Sequence, residues 1–469
     1  MTDIEATSQS ISQDGRAALG FAADRREDQY RELVEFLRIP SISTQAERSA
    51  DVEAAANWLA LALEKAGLNN TQVIKTSGHP LVYADWLLAG PNAPTLLIYG
   101  HYDVQPPDPL HLWNSPPFEP KRFGDYLHAR GASDDKGQLY VQVKAVEAYL
   151  KSSGRLPVNV KFVIEGEEES GGKGLNAFVP ANKELLAADS VLVSDTHIAG
   201  KNQPSIVYGL RGMTYAYLDV TGPSRDLHSG SYGGGIDNPL NVLAHIIAKL
   251  KTEDGTIQIP GFYDRVRELT AEEKQRIARG VLDEDAWLAD AGAPQSWGEP
   301  GFSLLERLGA RPTLDVNGII GGYTEAGAKT VLPSTVHAKI SMRLVPDQDP
   351  DQVFELFQSY VSAIAPSTVH VECTKVHVAE PCIIDVDIPQ MQAAAQAYLR
   401  VFGKEPVFMR EGGSIPVISL FQRHLGIQTI LMGFGLGEDR IHSPNERMYM
   451  PNFYRGIETA IQYYDILGA

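Results

Sequence analysis

The chain has 469 residues, 43% of them hydrophobic and 21% charged, with a formal net charge of −18. That length suits two or three domains with real cores, and the composition is that of a globular protein. The acidity argues against nucleic acid, which needs clustered Lys and Arg. No apolar run is long enough to span a membrane.

The N-terminus, "MTDIEATSQSISQDGR", lacks the basic start and apolar stretch of a secretory signal, so a cytoplasmic protein is expected. Residues 51–67 have helical periodicity with a Gly stop. Three short apolar runs of β character follow, at 95–103, 158–166 and 190–195, with a helical stretch at 137–154 between the first two. Helices alternating with strands apolar on both faces predict an α/β domain with a largely parallel sheet.

After about residue 210 the pattern changes. Segments 214–222 and 336–346 alternate apolar with polar, as half-exposed antiparallel strands do, and 238–251 and 350–364 form amphipathic helices. Residues 252–312 are charged and punctuated by Gly and Pro, which marks an excursion. From 384 the helix–strand pattern resumes, with a helix at 388–403 and a strand at 427–435. The expected architecture is one α/β domain, residues 1–210 and 384–469, interrupted by an inserted α+β domain at 211–383. Cys373 and Cys382 stand in neither a redox nor a zinc-ribbon spacing.

Ligands of an open α/β sheet bind at the carboxyl ends of its strands. The first apolar run ends in His101 and Asp103, the second in Glu168 and Glu169, the third in Asp195. "ARGASDDKG" adds Asp134 and Asp135 just before the 137–154 helix. Taken singly, each could be a turn residue or a helix cap; together they converge where a site would form. Imidazole with several carboxylates suits Zn²⁺, Co²⁺ or Mn²⁺. "GEEESGGKG" lacks the phosphate-loop spacing, and no G-x-S-x-G elbow supports a serine hydrolase.

These motifs resemble the M20 metallopeptidases, in particular the carnosinase-like dipeptidase branch. The resemblance rests on "GHYDVQPPDP", "ARGASDDKGQ", "EGEEESGG", "DLHSGSYGG" and "HSPNE", in that order. It implies a zinc-peptidase-like catalytic domain with an inserted lid and dimerisation domain, two divalent metal ions per subunit, Zn²⁺ with Mn²⁺ or Co²⁺ as alternatives, and a small peptide substrate. By the same resemblance His101 and Asp195 ligate one ion, Glu169 and His442 the other, and Asp134 bridges both. Asp103 orients the His101 ring, Glu168 is the general base toward a bridging water, and the Asp134–Asp135 peptide is cis. His228 supplies an oxyanion donor across a homodimer. Arg343 clamps the substrate carboxylate, with Thr330, Asn317, Gly413 and Ser414 lining the pocket. Glu167 has no role and is expected in solvent; His197, His245 and His424 match none. The activity implied is hydrolysis of dipeptides or short peptides with a free C-terminal carboxylate. The alternatives are an N-acyl or N-carbamoyl amino acid amidohydrolase, and a non-catalytic metal-dependent binding protein, against which Glu168 speaks.

Overall fold

The computed structural model describes residues 11–469 other than Val281 and Ser414, and Asp290 without its side chain. The principal strands of the two main sheets are β1 (Asn69–Ile74), β2 (Leu81–Trp86), β3 (Thr95–His101), β4 (Asn159–Glu165), β5 (Ser190–Val193), β6 (Ser205–Leu210), β7 (Gly212–Thr221), β8 (Thr313–Gly321), β9 (Thr335–Leu344), β10 (His370–Ala379) and β11 (Gln428–Leu431), and two short strands, Cys382–Ile383 and Val407–Glu411, pair with β6. The helices that matter here are α1 (Ser49–Ala66), α2 (Lys136–Ser152), α3 (Pro239–Leu250), α4 (Pro350–Ile364), α5 (Pro389–Phe402) and α6 (Met450–Leu467). The chain divides into two compact units. One takes the residues up to Tyr208 with Ile384–Phe408 and Leu420–Ala469; the other takes Gly209–Ile383 with Met409–Ser419. The last segment was expected with the closing part of the first domain.

In the first unit the sheet runs β1-β2-β4-β3-β5-β11-β6. Its centre is parallel, since β3 pairs that way with β4 and β5, and β5 with β11. The flanking strands are antiparallel. β4 and β5 are buried throughout and β3 nearly so, which is why runs such as Leu96-Leu97-Ile98-Tyr99 lack polar alternation. Helix α2 is buried along most of its length and packs against α1 and α6. Its first turn lies so close to the preceding loop that a Cβ on Gly137 would sit 1.9 Å from the Ala132 carbonyl oxygen.

Register decides where the site forms. His101 pairs with Glu165, so β3 and β4 finish level, while β5 ends two residues earlier, with Val193 opposite Tyr99, which brings Asp195 level with His101. The residues just beyond those ends therefore meet at one edge of the sheet, as do the residues that lead into α2.

The second unit holds an antiparallel sheet in the order β8-β9-β7-β10. Alternate residues Ala216, Leu218 and Val220 of β7, and Val336, Ala338, Ile340, Met342 and Leu344 of β9, turn inward. They pack on Val242, Leu243 and Ile246 of α3 and on Val353, Phe357 and Val361 of α4. Burying each such aliphatic side chain contributes about 1.5–3 kcal/mol. Both helices start with proline behind a side-chain cap, Asn238 for α3 and Asp349 for α4. The described residues of the 252–312 segment include three short helices, capped by Thr270, Asp283 and Ser303.

Candidate active site

His101, the last residue of β3, is fully buried. Its Nε2 lies 3.1 Å from Asp134 Oδ1 and 3.7 Å from Asp195 Oδ2. On the other side of Asp134, Oδ2 is 2.9 Å from His442 Nε2, which is 3.2 Å from Glu169 Oε1. Two donor sets thus share Asp134: His101, Asp134 and Asp195, and Asp134, Glu169 and His442. Asp134 and Asp135 come from the loop before α2, through a peptide bond that is cis. Asp135 stands at the N-cap of α2, yet its side chain accepts from the His101 amide at 3.2 Å rather than from the helix.

The donor sets fit divalent cations. His101 Nε2 is buried and makes no hydrogen bond, even beside Asp134. Its Nδ1 faces the Asp103 carbonyl oxygen at 3.1 Å. An Nδ1–H donated to that carbonyl leaves an Nε2 lone pair aimed at the carboxylates, the tautomer a metal ligand requires. Tetrahedral donors at zinc bond lengths stand about 3.3 Å apart, and the four spacings above straddle that figure. Charge points the same way. Burial opposes a charged His101, but Asp103, Asp134 and Asp195 outweigh it and raise its pKa well above the ordinary value. Asp134 and Glu169 push the half-exposed His442 up to about 10. Such a cluster demands positive charge.

Residues 97–465 match the family described as Peptidase family M20/M25/M40. The chain belongs to this family. Over 93% of its length it is 34% identical to the Cys-Gly metallodipeptidase DUG1 of Candida albicans, covering 94% of that protein. It is 32% identical to the human Beta-Ala-His dipeptidase, over 80% of this chain and 75% of that one. Among solved structures, the M20 family metallo-carboxypeptidase Sso-CP2 from Sulfolobus solfataricus superposes with a TM-score of 0.84 at 35% identity, over 94% of this chain and 99% of that one. The expected fold and class therefore hold: an M20 metallopeptidase whose catalytic unit has a parallel-centred sheet.

Around this M20 centre, several supports lie in segments that the motifs contained but to which no task was attached. Gln105 donates from Nε2 to Glu169 Oε2 at 2.7 Å, leaving Oε1 toward His442. The Asp103 carboxylate lies 3.4 Å from the His101 ring, but its hydrogen bonds come from the backbone: Glu168 N at 3.2 Å and Glu169 N at 3.1 Å. Asp103 thus fixes the turn that carries both glutamates, in addition to facing the histidine. Glu167, expected in solvent, is buried and accepts from Gly174 N at 2.9 Å. The space it fills is tight, since a Cβ on Gly78 would sit 1.9 Å from its Oε1. Glu168 is partly buried beside Asp195, Glu169 and Asp134. Desolvation, against the pull of His101 and with those carboxylates adding to it, raises its pKa well above the ordinary value.

The remaining expected residues belong to the second unit. His228 is exposed, and its Nδ1 accepts from Gly230 N at 3.0 Å, so the neutral ring carries its proton on Nε2. His228 pairs with Val331, and Ser229 N donates to Thr330 O at 3.0 Å. Arg343 is half-buried on β9; burial pulls its guanidinium below the ordinary value while Asp315 opposes. Asn317 is an exposed residue at an irregularity in β8, and Gly413 has open space where a side chain would project. Ser414 lies outside the described residues.

Proposed function

We propose that this M20 peptidase is a dinuclear dipeptidase that releases the C-terminal residue of dipeptides and short peptides. The observation that carries the reading is the pair of donor sets sharing Asp134. His101, Asp134 and Asp195 would hold one cation; Asp134, Glu169 and His442 the other. The oxygen-rich donors accept Zn²⁺, Mn²⁺ and Co²⁺, and Zn²⁺ is our choice. Held there, two such ions would lower the pKa of the attacking water and polarise the scissile carbonyl.

Glu168 takes the proton of the attacking water and returns it to the leaving amine. His228, through its Nε2–H, donates to the oxyanion as it develops. Arg343 grips the substrate carboxylate with its planar fork, and Thr330, Asn317, Gly413 and Ser414 shape the pocket around it. We assign the second unit as the lid and dimerisation domain, with His228 acting across a homodimer. Exposed Ile319, Ile320 and Tyr323, at and just beyond the end of β8, offer an apolar surface for the partner. A cytoplasmic location accords with Cys373 and Cys382 being unpaired thiols. Among the described residues no helix is long and apolar enough to cross a membrane.

The test is an assay of protein loaded with Zn²⁺, Mn²⁺ or Co²⁺ against Cys-Gly, β-Ala-His and Ala-Ala beside N-acetyl and N-carbamoyl amino acids. Dipeptide hydrolysis is expected. Deacylation without dipeptide turnover would replace this reading by the amidohydrolase one.

A further inference from the structure

His442 and Asp134 are more than three hundred positions apart in sequence, and a residue in neither donor set ties the loop of Asp134 to the segment that carries His442. Glu446 is wholly buried, four residues after His442 on the same turn. Its Oε2 accepts from Arg130 Nη1 at 2.6 Å and from Gly131 N at 3.0 Å. Its Oε1 accepts from Ser133 N at 3.0 Å and from Asp134 N itself at 3.1 Å. The backbone adds a further tie, Ala129 N to Glu446 O at 3.1 Å. One carboxylate thus satisfies three backbone donors of the loop that delivers Asp134, with Arg130 as its counter-charge. The turn that carries Glu446 is constrained as well. His442 and Asn445 have φ of 57° and 67°, in the left-handed region. Asn445 clips the turn to the chain before it, accepting from Asn114 N at 2.7 Å and donating to Leu112 O at 2.8 Å.

We propose that Glu446 is a positioning residue that sets the separation of Asp134 and His442, and so holds the second donor set in its binding geometry before any cation arrives. The inference rests on the two-cation reading of the site. The division of labour between the two oxygens makes it testable with a change of one atom. In Glu446→Gln the amide oxygen turns to the Arg130 cation, so the NH₂ group faces the Ser133 and Asp134 N–H groups, donor against donor. The loop must then move where it carries the shared ligand. Replacing such an outer support of a metal ligand typically costs 10- to 100-fold in affinity.

The experiment is a Zn²⁺ titration of metal-free wild type and E446Q, followed by calorimetry and by metal content after dialysis. Two cations per wild-type chain are expected, with E446Q binding at least one of them about 10- to 100-fold more weakly. If E446Q binds both as tightly as wild type, or only melts at a lower temperature with affinity unchanged, the inference is overturned. Wild type that binds no cation would overturn the two-cation reading itself, and this inference with it. Amide exchange on the metal-free wild type gives a check that needs no variant. Gly131, Ser133 and Asp134 should exchange as slowly as the buried strands; loop-like exchange that slows only on adding Zn²⁺ would overturn the proposal.

Discussion

Asp103 shows how one side chain can serve two parts of a site. It faces the His101 ring, but its two oxygens also take the backbone N–H groups of Glu168 and Glu169. Asparagine at 103 keeps one acceptor and turns a donor toward the other N–H, at a cost of about 1–3 kcal/mol for the unmatched group. With Glu168 as the proposed base, Asp103→Asn should therefore keep its bound metal but lose about 10- to 100-fold in kcat, because Glu168 drifts from the water it would deprotonate. Metal content and steady-state kinetics at saturating Zn²⁺ measure this; an unchanged kcat would show that the turn holds without Asp103. His101, Glu169 and Asp195 were readable because metal-capable residues closed each apolar run, and Asp134 because it stood just before a helix; His442 came only through the family resemblance. Glu167 was not readable. A carboxylate between two others reads as solvated, and its burial depends on the folding back of Gly174 and on the bare Cα of Gly78. Glu446 was hidden for a related reason: its partners lie on a loop brought to it only by the finished sheet.

At the scale of elements, helix α2 does more than cover the sheet. Gln138, in its first turn, donates to Ser133 O at 2.9 Å and accepts from Phe434 N at 2.6 Å and Gly435 N at 3.0 Å. The side chain is buried and joins the loop before α2 to the chain after β11. Gln138→Leu preserves bulk and strands three backbone groups, at a cost of about 1–3 kcal/mol for each that finds no water. The expected result is a clear fall in the melting temperature of the metal-free protein and weaker binding of Zn²⁺. A variant as stable as wild type would mean that water replaces the amide. The helix itself was legible from its 3.6-residue period, and the parallel strands from their unbroken apolar runs. Where Met409–Ser419 belongs was not legible. That segment contributes to the second unit through contacts such as Arg211 Nε to Gly412 O and Arg410 to Glu273, and no local pattern announces contacts across so long a loop.

At the scale of the whole molecule, the proposed chemistry is divided between two compact units. Glu168 sits with the donor sets in one; His228 and Arg343 sit in the other. Glu168→Ala should retain two cations and lose at least about 10²- to 10⁴-fold in rate, the usual worth of a general base. His228→Ala should lose rate through the oxyanion term, about 10²- to 10³-fold for one donor, while staying dimeric. If His228 serves the partner's site, a heterodimer of the two variants has one site lacking both groups and one lacking neither. Mixing the inactive proteins, with exchange of subunits verified by mass, should then restore activity toward half of the wild-type value per heterodimer. If His228 serves its own subunit, each site in the heterodimer lacks one group and mixing restores nothing. The two arrangements differ by orders of magnitude in rate, so even a small fraction of exchanged dimers decides between them. Ile319→Glu with Ile320→Glu provides the complementary perturbation, since charges on that exposed apolar patch should dissociate the proposed dimer. Sedimentation would then report monomers, and a site completed by its partner would fall silent while still binding added Zn²⁺.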